Sequence, residues 1–163
     1  MDENLQRVDH TAIKVNQASI ILLNVLAFIL ISPWLVACVA LIMILGTLYK
    51  KPGFYLVYQY ILKPAGLVKP EVLLDNPEPH RFAQGFGGLV MAAGGLALFL
   101  GASALGWGLV WLVTGLAALN LFAGFCAGCA VYYWLARVNV PGFYKRPPDG
   151  TTPGMRPKTR TVK

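Results

Sequence analysis

Charge is scarce in this chain. Charged side chains make up 13% of its 163 residues, against roughly 25% in an ordinary soluble domain. None interrupts the stretches 15–31, 33–49, 82–102 and 107–136. A soluble globule needs a polar skin, so that class is excluded. Runs of about 18 or more apolar residues instead mark membrane-spanning helices. Acidic groups are scarcer than basic ones: seven Asp and Glu stand against 14 Lys and Arg, a net charge of +7. In a soluble protein that excess would suggest nucleic acid. Beside a bilayer it reads as topogenic charge, and no nucleic-acid partner is expected. Cysteine is limited to Cys38, Cys126 and Cys129, all in apolar surroundings, which excludes a secreted disulfide framework. No secretory leader pattern is evident at Met1-Asp2-Glu3-Asn4. No Ser/His/Asp set, phosphate loop, carboxylate pair or cofactor motif is found.

What is present is an all-α pattern with room for one domain. Asp9 is placed to cap a first helix. The first span runs from Val15 to Ile31, with Asn16, Gln17, Ser19 and Asn24 turned toward protein. A single helix from Val15 to Tyr49 would be about 52 Å long, too much for one crossing. Ser32-Pro33 suits a helix start, so a tight hairpin and a second span from Pro33 to Tyr49 are expected. Leu56 to Leu62, flanked by Lys51 and Lys63, reads as an interfacial amphipathic helix. Ala65 to His80 reads as a polar connector. The third span, from Arg81 to about Ala102, is rich in glycine, which in lipid lets helix backbones approach closely. The fourth runs from Trp107 to Trp134 or Ala136, about 42 Å of helix, and must tilt, protrude or break. The expected organisation is a four-helix transmembrane domain over 1–144, arranged as two hairpins. A basic, proline-rich disordered tail over 145–163 follows, free to rest on anionic lipid.

Topology follows from the basic residues. All 14 lie in the N-terminal segment, the central connector and the region from Arg137 on; the two hairpin turns have none. The positive-inside rule then puts both termini and the connector in the cytoplasm, as a multi-pass protein of the inner, or plasma, membrane. Pro52-Gly53-Phe54-Tyr55 after the second span is echoed by Pro141-Gly142-Phe143-Tyr144 after the fourth. Both an ancient duplication and a shared need for a stop and an anchor account for the echo.

One stretch carries a candidate chemistry: Asn120 to Cys129, with the only Cys-x-x-Cys of the chain. Cys126 and Cys129 are three apart, neighbours on one helix face, within reach of a disulfide. Thiol exchange needs such a pair, one thiolate to attack and the second to resolve the mixed disulfide. The alternative is that both are small apolar residues in a packed helix, inert through burial. Cys126 lies about 28 Å along the helix from Trp107, toward the cytoplasmic face; Cys38 is near the outer face and reads as apolar filler. Arg81 is either a snorkelling anchor or a positive charge that stabilises a thiolate at Cys126 or Cys129. His80 reads as a connector residue. Asn24 and Asn120 should hydrogen-bond between helices, and Gln84 lies at the inner end of the third span. Asn120, Gly124 and Gly128 form a packing stripe opposite the thiols if the helix is continuous. A break near Gly124 would instead put Cys126 at a helix N-terminus, where the dipole favours thiolate. No metal is expected: a structural zinc site needs four ligands, and the pair supplies two.

Two stretches together, Asp75-Asn76-Pro77-Glu78-Pro79-His80-Arg81-Phe82-Ala83-Gln84 and Asn120 through Cys129 with Tyr132, resemble the bacterial membrane family catalogued as domain of unknown function 4395. The resemblance covers about residues 9 to 137 and leaves the basic tail outside. It implies a four-pass protein whose shared residues include Arg81, Phe82, Gln84, Asn120, Gly124, Cys126, Gly128 and Cys129. It also implies association with thioredoxin-like or sulfur-transfer proteins.

Two functions are therefore expected from different classes. One is a thiol–disulfide or sulfur-relay protein, in which Cys126 and Cys129 serve a cytoplasmic thioredoxin-like or sulfur-transfer partner. The other is a non-catalytic accessory subunit packed against other membrane subunits. Transport is disfavoured because no span carries an acidic residue.

Overall fold

The computed structural model describes residues 5–157. A short strand β1 (Gln6–Asp9) leads into helix α1 (His10–Ile29), and α2 (Pro33–Leu48) follows. A single turn α3 (Tyr55–Val57) continues as a π-helical turn over Tyr58–Leu62. Strand β2 (Val72–Asp75) then leads into α4 (Pro77–Phe99), α5 (Ser103–Ala123) and α6 (Ala127–Arg137).

The helix starts have local causes. The Asp9 carboxylate caps α1, accepting the Thr11 N–H at 3.0 Å. Ser32 caps α2 with Pro33 in its first turn. There the missing proline N–H is no loss, because the first amides of a helix have no partner. The expected break at Ser32-Pro33 is present. Three helices, α1, α4 and α5, are long and apolar enough to cross a membrane, and α2 is a shorter apolar helix of 16 residues. Helix α1 packs on α2 and α5, and α4 on α2, α5 and α6. The core between them holds Ile20, Ala27, Val36, Val39, Met43, Met91 and Val110. Large apolar residues such as Leu22, Leu89 and Trp34 face outward, as lipid-facing positions do.

Close backbone approach explains the glycines of α4. A Cβ at Gly94 would meet the Gly106 carbonyl of α5 at 3.2 Å, and one at Gly88 would meet Ile44 and Met43 of α2. Polar side chains inside the bundle pair with each other. Asn24 Nδ2 donates to Thr114 Oγ1 at 2.9 Å. Gln84 is a hub: its Oε1 accepts from the Gly53 N–H at 3.1 Å, and its Nε2 donates to the Met43 carbonyl at 3.0 Å. Asn16 joins it by accepting the Phe54 N–H at 3.0 Å.

The stretch read as a polar connector is more ordered than that. Val72–Asp75 pairs antiparallel with Gln6–Asp9, with Gln6 opposite Asp75 and Asp9 opposite Val72. Helix α4 starts at Pro77, four residues before the expected Arg81. Neighbouring groups fix this connector: the Asp9 carboxylate accepts from the Glu71 N–H and from the Tyr58 hydroxyl, and Lys14 pairs with Glu71 at 3.0 Å. Of the segment expected as a disordered tail, residues 145–157 are described and run back along α4 and α6. Lys145 pairs with Glu78 at 3.7 Å, and the Arg146 carbonyl accepts from Asn76 Nδ2 at 2.7 Å. Residues 158–163 lie outside the described residues.

Candidate functional site

The long fourth apolar run is broken. Helix α5 ends at Gly124, whose backbone is left-handed at φ 66° and ψ 18°, a conformation glycine adopts without the Cβ penalty. Phe125 is extended and pairs with Met155 of the C-terminal segment. Cys126 is the N-cap of α6, and its Sγ accepts the Cys129 N–H at 3.2 Å. Of the two geometries the sequence left open, the structure has the break.

Cys126 and Cys129 are joined as a disulfide across one turn, with Cα atoms 5.2 Å apart. Both are buried. Three features enclose them. Gly128 lies against Ala83 of α4, where an added Cβ would stand 2.6 Å from the alanine Cβ. The C-terminal segment crosses over the pair: the Cys126 N–H donates to the Gly154 carbonyl at 2.7 Å, and the Arg156 N–H donates to the Gly124 carbonyl at 3.0 Å. Arg156 then reaches Glu71 at 3.2 Å, which ties this strap to the connector.

Beside the sulfurs stands a chain of titratable groups. His80 Nδ1 is 3.5 Å from Cys129 Sγ. On its other side, His80 Nε2 is 2.9 Å from Asp75 Oδ2. His10 Nε2 approaches the same carboxylate oxygen at 3.1 Å, an ion-pair distance without the alignment of a hydrogen bond. The Asp75 carboxyl is buried, which by itself would raise its pKa. The two histidines and the Asn76 N–H outweigh that and hold it well below the usual carboxylate range. Asp75 is therefore anionic throughout the physiological range. This orients His80: the carboxylate accepts a hydrogen bond from Nε2–H, and Nδ1 is left facing sulfur.

Local folding places each of these groups. Asp75 closes β2, His80 lies in the second turn of α4, and His10 opens α1 directly after β1. The β1–β2 ladder sets His10 beside Glu71, to whose carbonyl its N–H donates at 2.8 Å. The His10 side chain reaches Asp75 from there, and the break at Gly124 swings Cys126 and Cys129 to His80. Reading His80 as a mere connector residue is corrected, and Asp75 and His10 join it. The signal for them was faint: the chain has two histidines, but only the side-chain packing of α1 and α4 around Asp75 brings them together.

The other candidate residues are distributed around this centre. Among the described residues Arg81 makes no hydrogen bond to either sulfur; its Nε is buried without a hydrogen-bond partner, and it lines a cavity of about 410 Å³ that also reaches Cys126 and Asn120. Asn120 caps the end of α5 through its carbonyl, which accepts the Gly124 N–H at 3.1 Å. Asn24 and Gln84 belong to the bundle interior described above. Cys38 is exposed and not disulfide-bonded.

A family model described as Domain of unknown function (DUF4395) matches residues 8–137. No curated protein and no solved structure matches the chain.

Proposed function

The chain belongs to the family of domain of unknown function 4395, and we propose that it is a membrane thiol–disulfide protein in which Cys126 and Cys129 exchange with a thioredoxin-like partner. The observation that carries the reading is the His80–Asp75 pair set against Cys129, with Nδ1 3.5 Å from the sulfur. A base held in one orientation beside a paired thiol is what exchange needs, and an inert pair of core cysteines has no use for it.

The exchange is written as follows. A partner thiolate attacks Cys126 Sγ; Cys126 is the cysteine of the pair that lines the larger cavity. The Cys126–Cys129 bond breaks, a mixed disulfide forms on Cys126, and Cys129 leaves as thiolate. A proton taken from solvent onto His80 Nδ1, with Nε2–H still donating to Asp75, passes to that thiolate. The partner's second thiolate then attacks its own sulfur in the mixed disulfide, and Cys126 leaves as thiolate at the N-terminus of α6. The amide of Cys129 and the helix dipole stabilise that charge. Two electrons pass from the partner dithiol to this pair, and the reverse sequence oxidises the partner. Arg81, on the cavity wall, adds positive potential for the incoming thiolate.

The placement proposed with it is four crossings, with α2 as a short span reached by slight tilt. Two hairpins then meet the cytoplasm at the end that carries Lys14, Lys50, Lys51 and Arg81, in line with the positive-inside rule. The alternative, a non-catalytic accessory subunit, drew on the glycine-rich face of α4. Those glycines pack against α2 and α5 within the chain itself, so they are not a surface held for another protein.

Equilibrating the full-length protein in detergent with graded dithiothreitol, then quenching and mapping by mass spectrometry, tests the exchange. A single two-electron transition between Cys126–Cys129 disulfide and dithiol is expected, together with transfer to a reduced or oxidised thioredoxin. A pair that stays in one state across the whole series overturns the reading. Labelling with a membrane-impermeant maleimide in inverted and right-side-out vesicles tests the sidedness, with reaction expected in the inverted ones.

A further inference from the structure

We infer that the reduced pair forms a zinc site: Cys126 Sγ, Cys129 Sγ and His80 Nδ1 are three protein ligands for one thiophilic divalent cation. The inference stands on geometry and does not depend on whether the pair exchanges electrons. The three ligand atoms lie within 4.8 Å of one another. Tetrahedral zinc with Zn–S of about 2.3 Å and Zn–N of about 2.0–2.1 Å sets neighbouring ligand atoms roughly 3.5 Å apart. His80 Nδ1 and Cys129 Sγ already stand at 3.5 Å. On reduction the two sulfurs need only part by side-chain rotation, since the cysteines are one helical turn apart.

Three further features fit a metal. Asp75 accepts from His80 on the nitrogen that would not bind the ion, at 2.9 Å. That carboxylate–histidine–metal arrangement fixes the imidazole tautomer and raises its basicity. A cavity of about 30 Å³ lies among His10, Asp75, His80, Cys126 and Cys129, room for one water-sized ligand in the fourth position. Charge also favours the ion: one divalent cation offsets the two thiolates, and the buried Asp75 carboxylate keeps His80 and His10 as its partners. Sequence alone supplied only two sulfur ligands and no carboxylate to orient a third. The histidine, the carboxylate and the small cavity come from tertiary structure. A second group, His10, Asp75 and His80, is also compact. It would spend the Asp75 oxygen and the outer face of His80, and it offers no soft ligand, so the sulfur set is the one chosen.

Binding is written as two thiols and one Zn²⁺ giving a zinc dithiolate and two protons. Formation of the disulfide removes two of the three ligands, so the ion and the disulfide are mutually exclusive. The test uses full-length protein in detergent, reduced with a phosphine, stripped with a chelator and titrated with zinc against a chromophoric competitor. Cobalt is the spectroscopic probe. One zinc per chain is expected, with a thiolate-to-cobalt charge-transfer band. Diamide-oxidised protein and the Cys126→Ser/Cys129→Ser variant are expected to bind none. Asp75→Asn is expected to keep the stoichiometry and lose about 10- to 100-fold in affinity. Because His80→Ala leaves a hole against Asp75, His80→Gln is tested beside it, with helicity checked by circular dichroism. Loss of the ion in every His80 variant that stays folded supports the assignment. Reduced wild-type protein that holds no more zinc than the double serine variant overturns it, as does undiminished binding in a folded His80 variant.

Discussion

His80 gains its role from what lies on each side of it. Cysteine sulfur stands at Nδ1 and a buried carboxylate at Nε2. Removing the carboxylate charge should therefore act at the sulfur, one group away. In Asp75→Asn the amide can donate to Nε2 as well as accept from it, so the tautomer that leaves Nδ1 free to take the Cys129 proton is no longer fixed. The expected result is slower alkylation of the reduced protein by iodoacetamide at neutral pH than in the unaltered chain. Unchanged rates would mean that His80 does not share a proton with sulfur. Gln84 makes a second prediction at this scale. Its side chain satisfies the Gly53 N–H and two carbonyls at the mouth of the bundle. Gln84→Ala leaves these groups without their partner and should cost about 1–3 kcal/mol, read as unfolding in mixed micelles.

At the scale of elements, the break between α5 and α6 decides where the thiols point. Two glycines permit it. Gly124 supplies the left-handed turn at φ 66°, and Gly128 lets α6 lie directly on α4. A methyl at Gly128 would come within 2.8 Å of the Ala83 Cα, a backbone atom that cannot swing aside. Gly128→Ala should thus lower stability by about 1–3 kcal/mol. Combination with Ala83→Gly should recover part of this, because the shorter contact is to the alanine Cβ at 2.6 Å. The strap is the other decisive element. Gly154 and Arg156 hold the segment over Cys126 by two backbone hydrogen bonds. A chain ending at Pro148 should have its disulfide reduced several-fold faster by dithiothreitol, measured by quenched mass spectrometry, with helicity unchanged. Equal rates would remove the strap from any account of access.

Across the whole molecule, one ion-pair cluster ties the ends together. Glu71 lies between Lys14 of α1 and Arg156 of the strap. The hydrogen bond from Lys14, with the charges of Arg156 and Lys14, lowers its pKa against the opposing effect of burial. A carboxyl depressed on folding stabilises the fold above its ordinary pKa of 4.5 and stops doing so as pH falls through its lowered value. Hydrogen exchange of the Arg156 amide should accordingly rise as pH is taken below 4.5, beyond the intrinsic exchange rate. At the alkaline end, burial and then Asp9 push Tyr58 up to about 12 from 10.0. A phenol raised on folding stabilises the fold below the ordinary value and loses that contribution as pH climbs between the two. Loosening of the π-helical turn from Asp9 at the head of α1 is therefore expected in that window, read as faster hydrogen exchange of the Tyr58–Leu62 amides.

Much of the architecture was legible because it follows from local chemistry. Apolar runs free of charge define the membrane helices, since an unpaired charge in hydrocarbon is costly. Asp9 and Ser32-Pro33 mark helix starts because a cap satisfies amides within the same few residues. The paired cysteines and their spacing are sequence facts, and the excess length of the fourth run announced that something had to give. Three things were decided only by the fold. The pairing of Gln6–Asp9 with Val72–Asp75 joins segments more than sixty residues apart, and no periodicity in so short a strand reports its partner. The return of 145–157 over Cys126 rests on backbone hydrogen bonds, which any sequence offers equally. The neighbour of Cys129 is His80, because the ladder, the second turn of α4 and the break at Gly124 converge on one point. A side chain's chemistry is written in its sequence, but the group it faces is a property of the packed chain.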